Sequence, residues 1–202
     1  MSEPRFPWER ELIKFVRRRL RGSRVPPSHG YDHVRRVVSL CEFIGDREGA
    51  DVEILRAAAW LHDVGRPEEE RTGRDHARIS ARIAAKVLPS VGFPESKLDD
   101  VVHAIEAHRY STGPEPETLE AKILQDADNL DALGAVGIAR CFCVVGERRT
   151  RIRDGVQHFY EKLLKLPDLM HTETARKLAR IRLRRMLAFL DWYREEAEEM
   201  RS

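Results

Sequence analysis

The sequence predicts an all-α fold, on three observations. Apolar residues recur with a period of about 3.6 along nearly every patterned segment. No alternating apolar and polar run is long enough for a strand. Gly, Pro and charged residues interrupt the pattern at intervals that suit helices of ordinary length. The 202 residues are enough for one sizeable domain with a real core. The expectation is a single helical bundle over 1–202, of about eight to ten helices. Its core is expected over 28–140, with an N-terminal helix at 8–21 and C-terminal helices at 156–200 packed on it.

Trp8, Leu12, Phe15, Val16 and Leu20 mark a first helix, closed by Gly22. Ser23–Gly30, with Pro26 and Pro27, reads as a loop. A second helix runs from about Asp32 to Ile44 on a stripe of Val37, Leu40, Cys41 and Ile44, which His33 joins at the first turn. The third runs from about Asp51 to Val64. Leu55, Ala58, Ala59 and His62 fall at i, i+3, i+4 and i+7, so His62 lies on the buried stripe. Asp63 is about 100° further round the same turn. Gly65 and then Pro67 make a helix stop. Glu68–Arg74 reads as a charged, solvated loop.

A fourth helix starts near Asp75, with Ile79, Ile83 and Val87 inward and His76 on the same stripe. Pro94 opens a fifth, with Leu98, Val101, Val102 and Ile105 inward and His108 continuing their line; His103 lies opposite and reads as solvated. Ser111–Pro116 is a loop. The sixth helix, about Thr118–Leu133, carries Asp126, Asp128 and Asp131. Residues 134–145 read as helical and Gly146–Gly155 as a basic loop. Val156–Leu166 and Thr172–Met200 read as two more helices separated by Pro167. The last has a stripe of Leu178, Leu183, Met186, Leu187 and Leu190 and a charged outer face.

Composition narrows the function classes. With 42% hydrophobic and 35% charged residues the chain is globular rather than disordered. A net charge of +2 argues against a protein built around a nucleic-acid polymer. No apolar run approaches the roughly 18 residues of a membrane span, and the N-terminus has no signal-peptide core, so no membrane partner is expected. The three cysteines fit a reducing cytoplasm; Cys41 lies in an apolar stripe, and Cys141 and Cys143 have the wrong spacing for a zinc knuckle. All three read as packing residues. The long last helix leaves open whether it covers the core or forms a homodimer.

His33, His62, His76 and His108 lie on or beside apolar stripes near helix ends. Each alone is commonly a satisfied core histidine. Together they need four sets of partners. With Asp63 and one aspartate of the sixth helix, six nitrogen and oxygen ligands become available. Periodicity does not choose that aspartate, since Asp126 shares a stripe with Ile123 and Leu130. Imidazole with carboxylate suits divalent zinc, iron, manganese, cobalt or nickel. Six such ligands exceed the three that one catalytic zinc usually takes. They suit two metals about 3.5–4 Å apart with a carboxylate between them.

HGYDHVRRV (29–37), AAWLHDVG (58–65), DHARISA (75–81), IEAHRYS (105–111) and ILQDADNLDALGAVGIAR (123–140) recur in an order that resembles the HD superfamily of metal-dependent phosphohydrolases. The likeness is to its small stand-alone bacterial and archaeal members and spans nearly the whole chain. It implies that His33, His62, Asp63 and Asp128 are the signature ligands, Asp128 because it lies in the family's Ala-Asp-x-Leu context. His76 and His108 match the extra histidines of the binuclear branches. Asp63 is then the bridge, with His33 and Asp128 on one ion and His76 and His108 on the other. Asp131 is expected to support the ligands by bonding backbone or a histidine. His29 is either a proton relay near His33 or a loop histidine bonded to backbone.

The resemblance implies a phosphohydrolase holding one or two divalent ions of Fe, Mn, Ni, Co, Zn or Mg. With two ions, a shared water of lowered pKa attacks phosphorus, and a phosphomonoester or phosphoanhydride of a small metabolite or nucleotide is cleaved. Beside His62 and Asp63, Arg140 and Lys162 are expected to act on the reacting phosphate. His158 is expected to help hold it, and Arg66 is a weaker candidate. The Glu-Asp pair of the alarmone hydrolases and the Gly-Tyr-Pro motif of the cyclic-dinucleotide phosphodiesterases are both missing. A binuclear-iron oxygenase of the same superfamily is the alternative, and a non-catalytic metal or ligand binder the third reading.

Overall fold

The computed structural model describes residues 4–21, 27–110 and 112–199, and among them every regular element is a helix. In chain order these are α1 (Glu9–Arg21), α2 (Tyr31–Glu48), α3 (Val52–Leu61), α4 (Arg66–Thr72), α5 (His76–Ser90), α6 (Leu98–Ala107), α7 (Leu119–Asp131), α8 (Gly134–Glu147), α9 (Ile152–Glu161) and α10 (Glu173–Glu199). Short 3-10 turns cover Pro27–His29, Glu95–Lys97 and Leu163–Leu169. The helix stop at Gly22, most of the loop that follows it, Ser111 and Met200 lie outside the described residues.

The chain divides into two compact units, Met1–Asp128 and Asn129–Ser202. In the first, α3 is the axis. It packs against α1, α2, α5 and α6, and every residue from Ile54 to Leu61 is buried. A helix buried on all sides is stable only when surrounded. Its neighbours offer one stripe each: Leu12, Val16 and Leu20 of α1, Val34, Val37, Val38, Cys41 and Ile44 of α2, Val101, Ala104 and Ile105 of α6. On α5 the inward line is Ile79, Ala84 and Leu88, with Ile83 and Val87 only half-buried.

Asp51 caps α3, accepting from the main-chain N of Glu53 (2.9 Å) and Ile54 (3.3 Å), with Lys97 Nζ 2.7 Å away. Burial pushes its carboxyl up, but Lys97 and the two amides outweigh that and hold it below the usual carboxylate range. Asp51→Ala is expected to cost about 1 kcal/mol in chemical denaturation. Because protonation is harder in the folded chain, this contribution is whole above roughly pH 4 and fades as pH falls through the lowered value.

Two expected loops contain helix. The charged run after Pro67 forms α4, with the proline in its first turn, Glu68 and Glu69 against the helix dipole, and Gly73 (φ 70°) closing it. No residue of α4 is buried, so the run carries no apolar stripe to be read. At the basic loop, Asp154 accepts from the main-chain N of Arg151 at 2.9 Å and starts α9 at Ile152, before Val156.

In the second unit α8, α9 and α10 pack on one another and on the 3-10 turn at Leu163–Leu169. Phe142, Phe159 and Phe189 form an aromatic cluster with ring centroids 5.7–6.2 Å apart. Met186 and Leu190 of α10 are buried, whereas Leu187, expected inward, is exposed. Cys41 and Cys141 are buried and Cys143 is half-buried. Among the described residues no single helix is long and apolar enough to cross a membrane, although α7 and α8 taken as a pair reach the length and composition.

Candidate metal centre

The site is built at helix ends. α3 stops at Leu61, and His62 is its cap. The chain then turns tightly, Val64 N donating to Leu61 O (3.2 Å) and Arg66 N to Asp63 O (3.1 Å). Gly65 presses this turn onto α5. A Cβ there would lie 2.4 Å from the His76 carbonyl oxygen and 2.9 Å from Ser80 N, and Gly65 N donates to Ser80 Oγ at 2.8 Å. Gly65→Ala must therefore push α5, and with it His76, away from Asp63. A loss of about 1–3 kcal/mol in denaturation is expected, together with weakened metal uptake in calorimetry.

His33 of α2, His62 and Asp63 after α3, His76 at the start of α5, His108 at the end of α6 and Asp128 of α7 converge. They form two groups, His33 with His62 and Asp128, and Asp63 with His76 and His108, whose ligand atoms within each group lie within 4.8 Å of one another. The rings run in a chain, His33 to His62 to His108 to His76, with centroids 5.2–5.3 Å apart. Asp63 faces both groups. Its Oδ2 is 3.5 Å from His33 Nε2 and 3.7 Å from His62 Nε2. Its Oδ1 is 3.2 Å from His76 Nε2 and 3.9 Å from His108 Nε2. Asp128 Oδ1 lies 3.3 Å from His33 Nε2, and its side chain, 28% exposed, marks the solvent side of the site.

Hydrogen bonds fix which ring nitrogen is free. His62 Nδ1 donates to Ala59 O (2.8 Å), His108 Nδ1 to Ile105 O (2.6 Å) and His76 Nδ1 to Glu69 Oε2 (2.9 Å). Each Nε2 then turns a lone pair inward in the neutral ring. His76 Nε2 and His108 Nε2 are 3.3 Å apart, and His62 Nε2 and His33 Nε2 3.2 Å apart. The lone pairs of His76 and His108, facing each other this closely, repel unless a cation or proton lies between them. Both oxygens of the fully buried Asp63 also lack a hydrogen-bond partner, although Arg66 Nε, not aligned to donate, is 3.0 Å from Oδ1. One guanidinium beside Oδ1 leaves both oxygens without an aligned donor, and a buried carboxylate in that state favours a further cation. The donor set therefore fits one divalent ion in each group, with Asp63 between them.

Protonation agrees with that fit. Burial pushes the Asp63 carboxyl up, but Arg66, His62 and His76 outweigh it and hold it well below the carboxylate range. Burial opposes ionisation of Asp128 too, and His33, His62 and His108 overcome it. Burial lowers His62, and burial with the nearby His62 pushes His108 down to about 3. Those groups are already in the deprotonated forms that bind metal. His76 is the exception: burial lowers it, but Asp63 and Glu69 raise it further.

The other predicted residues fall as follows. Asp126 is fully buried and belongs to neither group; two residues from Asp128, it points about 200° away round the helix. His29 Nδ1 is 2.9 Å from Ser28 Oγ, and its ring centroid is 5.9 Å from that of His33. Arg66 reaches Asp63 and, through Nη1 at 3.5 Å, Glu69 Oε2. In the second unit Asp131 is buried and pairs with Arg140 at 3.0 Å. Asp131, expected to support the ligands, thus pairs with Arg140, expected to hold phosphate. His158 is half-buried in α9 and Lys162 is exposed at its end. His103 accepts from the main-chain N of Glu117 at 3.0 Å. Glu69 was not legible as a site residue, because it lies in a run that reads as surface.

The HD domain family matches residues 30–133. The chain is 38% identical over 170 residues to YpgQ of Bacillus subtilis, covering 80% of this chain and 81% of that protein. The crystal structure of YpgQ in complex with ADP superposes with a TM-score of 0.78 at 33% identity, over 94% of each chain. A predicted HD superfamily hydrolase from an uncultured Thermotogales bacterium superposes with a TM-score of 0.75 at 36% identity, over 95% of this chain and 94% of that one. Ribonuclease Y of Lawsonia intracellularis is 36% identical over 98 residues, which are 48% of this chain but match only 17% of that protein.

Proposed function

The chain belongs to the HD domain family, and on that footing we propose that it is a metal-dependent phosphohydrolase acting on a phosphoanhydride or phosphomonoester of a small metabolite or nucleotide. The observation that carries the reading is Asp63, a buried carboxylate whose two oxygens lack hydrogen-bond partners and face two sets of imidazoles. When bound there, divalent ions lower the pKa of water and offset negative charge on a phosphate. The chain's own residues supply the rest. His33, His62 and Asp128 would hold one ion, and His76 and His108 the other, with Asp63 shared. Arg66, 20% exposed beside Asp63, would meet an anionic group that enters the site. Solution of YpgQ with ADP supports a nucleotide as the first class to test.

The test begins with metal analysis of protein purified without added metal. Nucleoside di- and triphosphates, sugar phosphates and a short RNA are then offered with manganese, with oxygen uptake followed in parallel. Release of orthophosphate or pyrophosphate from a small substrate is expected. Cleavage of the RNA alone would move the assignment to a phosphodiesterase. Oxygen consumption without phosphate release, or no turnover by the metal-loaded protein, would overturn it.

A further inference from the structure

The three ring hydrogen bonds described above are not equivalent. His62 and His108 sit at the ends of α3 and α6, and each donates to the carbonyl three residues before it in its own helix. Helix C-termini leave such carbonyls available. His76 is the first residue of α5, where the helix exposes N–H groups and no preceding carbonyl of its own. Its Nδ1 has to be met by an acceptor from another element, and α4 provides one.

Glu69 uses both oxygens on this single residue. Oε2 accepts from His76 Nδ1 at 2.9 Å and Oε1 from the His76 main-chain N at 3.2 Å. Two arginines hold the carboxylate in turn: Arg66 Nη1 lies 3.5 Å from Oε2 and Arg109 Nη1 3.5 Å from Oε1. Arg109 is itself anchored on Asp75, the cap of α5, at 2.7 Å. The ring of His76 is thus held toward Asp63 by the Glu69 carboxylate.

We propose that Glu69 is a positioning residue that fixes His76 for the second cation and so sets how many ions the chain holds. The inference rests on the two-ion reading above. It concerns an acceptor at a fixed place rather than a charge. Glu69→Gln keeps an acceptor oxygen for Nδ1, and Glu69→Ala removes it. Exposed Glu70 lies next to it in the same helix and serves as a control.

The test is calorimetric titration of the metal-free full chain with manganese, with bound metal counted by elemental analysis. Metal-free melting curves establish that each variant is folded. The parent and Glu70→Ala proteins are expected to take two ions. Glu69→Ala should lose about 10–100-fold in affinity at the weaker site and little at the other, and Glu69→Gln should recover most of that loss. Two ions bound by Glu69→Ala with the parent's affinities would overturn the positioning role and leave the two-ion reading intact. Equal loss of both ions in Glu69→Ala also counts against it, since the effect is claimed for one site. A parent that takes only one ion would sink the two-ion reading, and the inference with it.

Discussion

Asp63→Asn is expected to keep its helices and lose both ions, and turnover should fall by about three orders of magnitude or more, some 4 kcal/mol of transition-state stabilisation. The substitution hardly changes volume. It replaces two anionic oxygens by one neutral oxygen and one NH₂ donor. Oδ2 faces His33 and His62 and Oδ1 faces His76 and His108. Whichever way the amide turns, one pair of imidazoles meets a donor in place of an anion. A second readout is thermal melting. A ligand that binds only the folded chain stabilises it by about 2.7 kcal/mol at one hundred times its dissociation constant. The parent's melting temperature should rise with manganese and that of Asp63→Asn should not. The fold itself is spared because Arg66, the neighbour that loses its counter-charge, is 20% exposed and can turn to solvent. Two ions bound with undiminished turnover in Asp63→Asn would remove the basis of the assignment.

What could be read from the sequence follows from what periodicity encodes. A 3.6-residue stripe locates a helix and marks a polar residue that lies on its buried face, which is how His33, His62, His76 and His108 stood out. It says nothing about which of two nearby aspartates turns toward a neighbour, so Asp126 and Asp128 were separated only by motif context. α4 escaped because a helix with no buried residue has no stripe, and Glu69 escaped with it. The pairing of Asp131 with Arg140 was invisible for another reason: an ion pair depends on geometry between helices, and charge alone does not report burial.

The largest stability effect is expected at a pair that the sequence does not announce. Arg56, in the middle of α3, is 1% exposed, and Glu9, the first residue of α1, is wholly buried. Arg56 Nε donates to Glu9 Oε1, and Arg56 Nη1 lies 2.6 Å from Glu42 Oε1 of α2. Glu9 also accepts from Trp60 Nε1 (3.2 Å) and from the main-chain N of Phe6 (3.1 Å). One buried carboxylate thus ties α1 to two side chains of α3, and one guanidinium ties α3 to α2. Arg56→Ala removes the guanidinium that pairs with the buried Glu9 carboxylate. A loss of about 3–5 kcal/mol is expected, or roughly 6–20 °C in melting temperature at this chain length. The double variant Glu9→Leu with Arg56→Met replaces both charges by apolar groups and should recover much of that loss. A double-mutant cycle in denaturant separates the two cases. Strong non-additivity, with the double variant more stable than Arg56→Ala, is the expected result. Simple addition of the two single losses would mean that each side chain acts through packing alone, and that α1 is held to α3 by its Leu12 and Val16 stripe rather than by charge.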